Sequence, residues 1–498
     1  MKNLIQLAKF LKKERLRVNI LDGSERNKAI SKIWKEIIKG SIEDVSDIEN
    51  MFFKESSNAG AYARKAKSRL LNTLYDSVHL ISTTTWSEVQ QNYAHCYNRL
   101  AVFKTLVAKR QTTAALSLGE YLIHKSKHYE ITEIGLSVSR DLQLMSIYLG
   151  DKGAVLKFQK TVTALNEINN AEIKAETYFS TLYSYFIGNR IPDQDFIESA
   201  NSLLRELEPL HKKHISFRLN FRYFSIKSLV ELLNQNYTAV VKNCQEAINF
   251  FESKKFEMPY VAFYHFYLQM VPAFLYLREF EAVEGLIEKA LNHKHAEVGA
   301  YLHHCIFAFH ADNYKLANTI YEKGSSVSAI NFNIETWKII GGYLQILSNL
   351  GRIDFSGDIT AARFRNDFEL FSKDKKGANA QIIAIWFLLA LTEGKRGVLI
   401  DSFDAIRIYK KRHLSGSENK RMNSLFQILL NSITSAFQID KLESISKNEV
   451  EQILIEPHTP SDDIRGEIMP IQSIYSDILI EALIQDLEKK SKRLERTI

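Results

Sequence analysis

The chain has 498 residues, of which 45% are hydrophobic and 25% charged, and its formal net charge is +7. These proportions are ordinary for folded proteins and exclude a largely disordered chain. Only seven prolines and 20 glycines occur, and the first proline is Pro192. Because residues that interrupt helices are rare, we predict an all-α protein. Its length exceeds the roughly 250–300 residues at which one compact core stops growing, so we expect either several domains or an extended core, as in a solenoid.

Residues 1–82 are predicted to form a small basic helical head. The first 40 residues hold eleven Lys or Arg against four Asp or Glu. We predict an amphipathic helix near the start, a second helix between Ser24 and Gly40, and a short acidic helix over 43–53 capped by Ser41. A long basic helix over 59–80 follows, with Leu70, Leu74, Tyr75 and Val78 predicted on one face.

The third and fourth predicted helices of this head have the order of a helix-turn-helix. Four cations lie near the start of the second of them: Arg64, Lys65, Lys67 and Arg69. In that motif the second helix enters the major groove of DNA. The break between the helices is long for the motif, and no Asn or Gln accompanies the cations for base reading. Nucleic-acid contact through these four residues stays open as an alternative.

Residues 83–440 are predicted to be an array of helical hairpins. Six helices carry an aromatic residue followed four positions later by a small one. Such a pair favours close helix packing, because the small residue admits a neighbouring helix and the aromatic ring fills the adjacent space. The pairs are Tyr97/Ala101, Phe224/Ser228, Tyr267/Val271, Tyr301/Cys305, Trp337/Gly341 and Trp386/Ala390.

This register resembles the tetratricopeptide repeat (TPR), whose first helix carries W-x-x-L-G and whose second helix opens with Tyr. Trp337, Ile340 and Gly341 match the first pattern best. The closing Pro of the consensus is missing throughout, so the repeats are degenerate. The resemblance implies a TPR-like α-α superhelix, or solenoid, in which each hairpin buries its face against the next.

A second resemblance covers the whole chain. Segments 61–74 and 371–379 are similar to segments of uncharacterised long helical proteins from Bacteroidota-type bacteria. This group implies a bacterial cytoplasm and brings no activity. The longest apolar run, residues 382–391, is half of the about 20 residues that a membrane span needs, and cations interrupt every apolar stretch near the N-terminus. We therefore expect a cytoplasmic protein with no membrane span.

Residues 441–498 are predicted to be a Pro-containing loop followed by a C-terminal capping helix. Pro457, Pro460 and Pro470 mark the loop, and a stripe from Ile474 to Leu483 at helical spacing marks the helix. An array of repeats needs a terminal helix with a polar outer face, and this helix fits that role.

No catalytic motif, cofactor motif or metal-ligand spacing is found in the sequence, so we expect a non-enzymatic protein without a cofactor. Gly-rich phosphate loops, HExxH and GxSxG are absent. Histidines cluster between 211 and 310, but a structural metal site also needs Cys or carboxylate ligands. Only His304 is near a Cys, and this residue, Cys305, is at a predicted packing position. We interpret these histidines as partly buried or groove-facing.

The TPR-like register places Arg222, His265, Gln269 and His303 on the surface that would be concave. The resemblance implies a carboxylate clamp of Lys, Asn and Arg in some relatives, but those residues are missing here. We therefore predict a scaffold or adaptor that holds a protein or peptide partner at these four residues. The alternative is a transcriptional or signalling regulator, with a DNA-binding head and a ligand-sensing TPR-like domain.

Overall fold

The computed structural model describes residues 1–13, 25–78, 81, 83, 86–188, 194–291, 298–327, 334–367, 378–416, 419–455 and 467–495. All regular elements in these ranges are helices, and no strand occurs among them. The prediction of an all-α protein is therefore confirmed. Within the same ranges, no helix combines the length and apolarity that crossing a membrane requires. The chain divides into two units, Met1–Ser87 and Glu88–Ile498.

The first unit is built from four helices around its own apolar core. Residues at helical spacing on α1, α2 and α4 supply most of this core, and Ile42 and Ile48 complete it. On α4 the buried stripe begins with Ala59, Ala63 and Ala66, whose small side chains admit neighbouring helices closely. The four helices are α1 (Lys2–Lys13), α2 (Glu25–Lys39), α3 (Val45–Phe52) and α4 (Ala59–Val78).

Two local predictions for this unit are wrong. The cap of α3 is Asp44, not Ser41. Asp44 and Asp47 form a capping box, in which the carboxylate of each residue accepts a hydrogen bond from the backbone N–H of the other. Tyr75 and Val78 lie exposed on α4. Tyr75 directly follows the buried Leu74, and neighbouring residues on a helix point about 100° apart. The predicted cap residue Ser24 of α2 lies outside the described residues.

The second unit continues as a succession of helices in which each packs mainly on its neighbours in sequence. The helices are α5 (Glu88–Ala108), α6 (Thr112–His128), α7 (Thr132–Tyr148), α8 (Lys152–Gly188), α9 (Gln194–Lys213), α10 (Phe217–Leu233), α11 (Tyr237–Glu252), α12 (Tyr260–Leu277), α13 (Phe280–Leu291), α14 (Val298–His310), α15 (Tyr314–Val327), α16 (Ile334–Asn349), α17 (Ala361–Asp367), α18 (Ala378–Thr392), α19 (Arg396–Asp401), α20 (Phe403–His413), α21 (Lys420–Thr434), α22 (Ile439–Ile445), α23 (Lys447–Ile455), α24 (Ile471–Ser473) and α25 (Ile480–Glu495).

The core of this unit runs without interruption from Val89 on α5 to Leu483 on α25. A long core of this kind forms when each helix pair buries its apolar face against the following pair. Helix α8 departs from the rest: it spans 37 residues. It packs on α7, α9 and α10, so one long helix contacts both preceding and following elements.

Small residues packed against aromatic side chains give close helix contacts at Gly324 and Gly341. A methyl group at Gly324 would lie 2.9 Å from Cζ2 of Trp337, and one at Gly341 would lie 2.8 Å from the hydroxyl of Tyr321. Five of the six predicted pairs have both members at least partly buried. The first pair is the exception, because Tyr97 is 42% exposed on α5 and the following Ala101 is exposed too.

The C-terminal part contains more helix than the sequence indicates. Helices α22 and α23 cover most of residues 439–455, where the loop was predicted to begin at 441. No proline occurs between Pro272 and Pro457, so no proline interrupts these two short helices. Pro457 and Pro460 lie outside the described residues.

Residues 467–489 form what we call the C-terminal segment. It comprises α24, a π-helical stretch over Ile474–Leu479, and the first part of α25. Its side chains bond to the turns that follow α14, α16 and α18: Asp477 accepts from Tyr314 over 3.0 Å, Glu481 accepts from Arg352 over 2.7 Å, and Asp486 pairs with Arg396. The segment therefore joins helices that are about 80 residues apart in sequence.

Candidate functional site

The first polar cluster joins α7, α8 and α10 through the guanidinium group of Arg218. Its Nη1 donates to Oε2 of Glu133 over 2.8 Å. Its Nη2 and Nε donate to Oε1 of Glu176 over 2.9 and 3.1 Å. Partial burial lowers the pKa of Arg218, but the hydrogen bonds and charges of Glu176 and Glu133 raise it overall. Two carboxylates therefore neutralise Arg218, and the group holds three helices together.

Glu133 also accepts hydrogen bonds from the hydroxyls of two tyrosines on α5. Tyr93 donates to Oε1 over 3.0 Å, and Tyr97 donates to the same oxygen. Burial raises the pKa of Glu133, but the hydrogen bond from Tyr97 and the charge of Arg218 outweigh burial and lower it. The carboxylate is therefore charged, and it places Tyr97 on the outer side of α5 instead of in the helix-packing role predicted for it.

Two further carboxylates fix the start of α10. Glu172, which is 1% exposed, accepts from Thr132 over 2.7 Å and from Ser216, the N-cap of α10. Burial raises the pKa of Glu172. Glu130 adopts a left-handed backbone conformation with φ 54°, and its Oε2 accepts from the backbone N–H of Phe217 over 2.6 Å. These bonds set the position of α10 against α7 and α8.

Arg222 lies one turn beyond Arg218 on α10 and has different surroundings. Its guanidinium carbon is 4.2 Å from the ring centroid of Phe179 on α8 and 5.2 Å from that of Phe221. Within the described ranges, no carboxylate oxygen lies within 4.0 Å of its nitrogens. Burial lowers the pKa of Arg222, yet a guanidinium group keeps its charge in proteins. Arg222 is therefore a half-buried cation held by rings.

His265 on α12 contacts Phe221, one of the two rings next to Arg222. Its ring centroid lies 5.1 Å from that of Phe221. Its Nε2 is closed to solvent and has no hydrogen-bond partner among the residues that the structure describes. Burial, assisted by the charge of Arg222, lowers the pKa of His265 to about 4. The imidazole is therefore neutral at pH 7.

Gln269 follows His265 one turn later on α12 and bonds across to α8. Its Nε2 donates to the hydroxyl of Tyr183 over 2.9 Å. The ring of Tyr183 in turn stacks on Phe179 with a centroid distance of 4.1 Å. Gln269 thus orders the aromatic rings that hold Arg222. We call Phe179, Tyr183, Phe221, Arg222, His265 and Gln269 the Arg222 cluster.

The structure brings three of the four predicted partner-binding residues together in this cluster. The fourth, His303, lies half-buried on α14, whose main packing partners are α12, α13 and α15. Sequence reasoning missed Phe179 and Tyr183, because α8 lies outside the repeat register that supplied the candidates. Their i, i+4 spacing on one helix was the available signal.

The four cations predicted for nucleic-acid contact lie on α4 of the first unit. Arg64, Lys65 and Arg69 are exposed, and Lys67 is half-buried. Lys65 and Arg69 are four residues apart and share one face, whereas Arg64 lies on another. The cations therefore do not form one continuous stripe along α4.

Within the described part of the chain, no group of three or more His, Cys, Asp or Glu side chains is arranged to hold a metal ion. Each cysteine is buried, and burial raises the pKa of Cys96, Cys244 and Cys305. Raised thiol pKa values oppose thiolate chemistry. The Arg222 cluster itself presents a cation, aromatic faces and an imidazole nitrogen.

No protein-family model, curated protein or solved structure matches this chain.

Proposed function

We propose that the protein is a non-enzymatic cytoplasmic scaffold that holds a protein or peptide partner on its second unit. In this proposal the successive hairpins form a TPR-like superhelix, and the Arg222 cluster and His303 line its concave side. The sequential packing of helices and the burial of the aromatic and small residue pairs support this arrangement. Binding of a partner requires no catalytic group.

The observation that carries the proposal is the state of Arg222. A half-buried cation is costly unless it is paired, and Arg218 one turn away has two carboxylates. Arg222 instead rests between the rings of Phe179 and Phe221. Rings cover the faces of a guanidinium group but leave its in-plane N–H donors available. A partner that supplies acceptors would satisfy these donors.

The partner surface that fits this site is apolar with a polar acceptor at its centre. The rings of the cluster offer apolar contact area, which supplies most of the energy at an interface hot spot. The guanidinium edge would take two oxygen acceptors in its plane. His265 and Gln269 form the base of the proposed site. His265 is neutral there, and Gln269 already donates a hydrogen bond to Tyr183.

The test is quantitative co-purification with the tagged full-length protein from its own cells. Arg222→Glu reverses the charge at the centre of the site, so we expect recovery of the partner to fall about tenfold or more. Arg205→Glu is the matched control, because Arg205 is an exposed cation on α9. Equal partner recovery with wild type, Arg222→Glu and Arg205→Glu would remove Arg222 from the binding surface.

A further inference from the structure

The charges of the first unit are segregated between its helices. Among the described side chains of α1 and α2 are seven lysines, and all seven are exposed: Lys2, Lys9, Lys12, Lys13, Lys32, Lys35 and Lys39. The one acid among the same side chains is Glu36, which pairs with Lys39 over 2.6 Å. In contrast, residues 43–55 around α3 hold five acids and a single Lys.

Helical spacing collects these lysines on the outer faces of the two helices. Lys2, Lys9 and Lys13 stand at i, i+7 and i+11 on α1, opposite the buried Leu4 and Leu11. At a rise of about 1.5 Å per residue, they form a row about 16 Å long. On α2, a second row stands at i, i+3 and i+7 and consists of Lys32, Lys35 and Lys39.

The acidic helix does not neutralise these rows. Helix α3 packs mainly on α4, whereas α1 and α2 pack on each other and on α4. Asp44 and Asp47 are also engaged in the capping box of α3. Among the described side chains of α1 and α2, Glu36, which pairs with Lys39, is therefore the one counter-charge to the lysines on the outer faces.

We propose that the outer faces of α1 and α2 bind the phosphate backbone of duplex nucleic acid without reading its sequence. A duplex presents one negative charge per about 1.7 Å of its axis, so a row of about 16 Å spans several phosphates. Lysines serve as point charges for phosphates and carry little base information. This activity is separate from the proposed scaffold function, and it places the contacts on α1 and α2 instead of α4.

The burial pattern argues against an anionic membrane as the ligand. A membrane-surface helix inserts an apolar face between the lipids. Here the apolar faces of α1 and α2 are already buried in the core of the unit. Among the described side chains of these two helices, Phe10 is the one large apolar residue that is exposed. One aromatic ring gives little area for insertion, so phosphate contact is the favoured interaction.

The experiment measures fluorescence anisotropy of the full-length protein with labelled duplexes of about 30 base pairs and two unrelated sequences. We expect equal affinity for the two sequences and a steep loss of affinity between about 50 and 200 mM salt. Lys9→Gln/Lys13→Gln/Lys35→Gln should lower the affinity about tenfold or more. It should also reduce the slope of log K against log salt by about 2–3, at roughly 0.9 per phosphate contact.

Two further triples separate this proposal from simpler ones. Lys152→Gln/Lys242→Gln/Lys315→Gln removes three exposed lysines from the second unit. This triple lowers the net charge of the protein by as much as the triple on α1 and α2, but it should leave the slope unchanged. Arg64→Gln/Lys65→Gln/Arg69→Gln, the triple on α4, should lower the affinity for duplex less than the triple on α1 and α2. The proposal is overturned by absent duplex binding, by equal losses in all triples, by a larger loss from the α4 triple, or by binding to phosphatidylserine vesicles alone.

Discussion

Two arginines one turn apart on α10 have opposite surroundings. Arg218 donates to Glu133 and Glu176, and these bonds join α10 to α7 and α8. Arg222 contacts aromatic rings of α8 and its own helix, and no described carboxylate pairs with it. The comparison teaches that the same residue type on one helix face can have two surroundings: carboxylates fix one cation within the fold, and the other is the one that we propose for contact with a partner.

The difference arises from the residues that α8 presents to each turn of α10. Glu176 faces Arg218, whereas Phe179 and Tyr183 lie one and two turns further along α8. A guanidinium group with two carboxylates has its donors satisfied within the fold. One that stacks on rings retains its in-plane donors. Four measurements, taken from the largest expected effect to the smallest, test this comparison.

The largest effect is expected at Arg421, where a fully neutralised arginine is buried. Arg421 and Glu467 are 4% and 5% exposed and bond over 2.6 Å. Arg421→Met leaves the carboxylate of Glu467 buried without its partner, so we expect a loss of about 3–5 kcal/mol. Amide hydrogen exchange of α21 and the C-terminal segment measures it. Arg421→Met/Glu467→Gln should recover part of the loss, and no recovery would show that the charge is not the cause.

The second effect concerns His265 in the Arg222 cluster. Its pKa in the fold is about 4, below the ordinary value of about 6.5 in the unfolded chain. The stability that it contributes is therefore present above pH 6.5 and is lost as the pH falls toward 4. Between pH 7 and pH 5 we expect a loss of about 2 kcal/mol. Hydrogen exchange of α12 at both pH values measures it.

The control for this prediction is His265→Phe, which keeps an aromatic ring and removes the titrating nitrogen. The variant should show a smaller pH dependence than wild type in the same window. Identical profiles for the two proteins would mean that other groups account for the loss.

Next in size is Arg218→Met, which leaves Glu133 and Glu176 without their cation. Because these groups are partly exposed, solvent screens them, and we expect a loss of about 2 kcal/mol instead of the larger loss for a buried pair. Protection of α10 and α7 against hydrogen exchange should decrease together. Decreased protection of α10 alone would contradict a role for Arg218 in joining the two helices.

Much of the fold could be predicted from the sequence because its signals are local. Sparse Pro and Gly indicated helices throughout, and the pair Trp337/Gly341 indicated a close helix contact that the structure contains. The exposure of Tyr97 could not be predicted this way, because the hydroxyl bonds to Glu133, 36 residues away in sequence. An i, i+4 pattern locates a helix face but does not say which face is buried.

The candidate site could be predicted only in part for the same reason. Arg222, His265 and Gln269 came from one repeated register, and the structure places them around shared rings. Phe179 and Tyr183 come from α8, and Gln269 bonds to Tyr183 across 86 residues of sequence. The C-terminal segment likewise contacts turns more than 100 residues earlier, such as that of Arg352. Contacts of that range leave no periodic signal in the chain.

The most direct measurement of the central claim is the stability of Arg222→Met beside that of Arg218→Met. Methionine keeps the contact with Phe179 and Phe221 but removes the charge, so we expect hydrogen exchange of α10 to change by less than about 1 kcal/mol. Partner recovery should fall in the same variant. A loss of stability as large as that of Arg218→Met, with partner recovery unchanged, would mean that Arg222 serves the fold and is not kept for a partner.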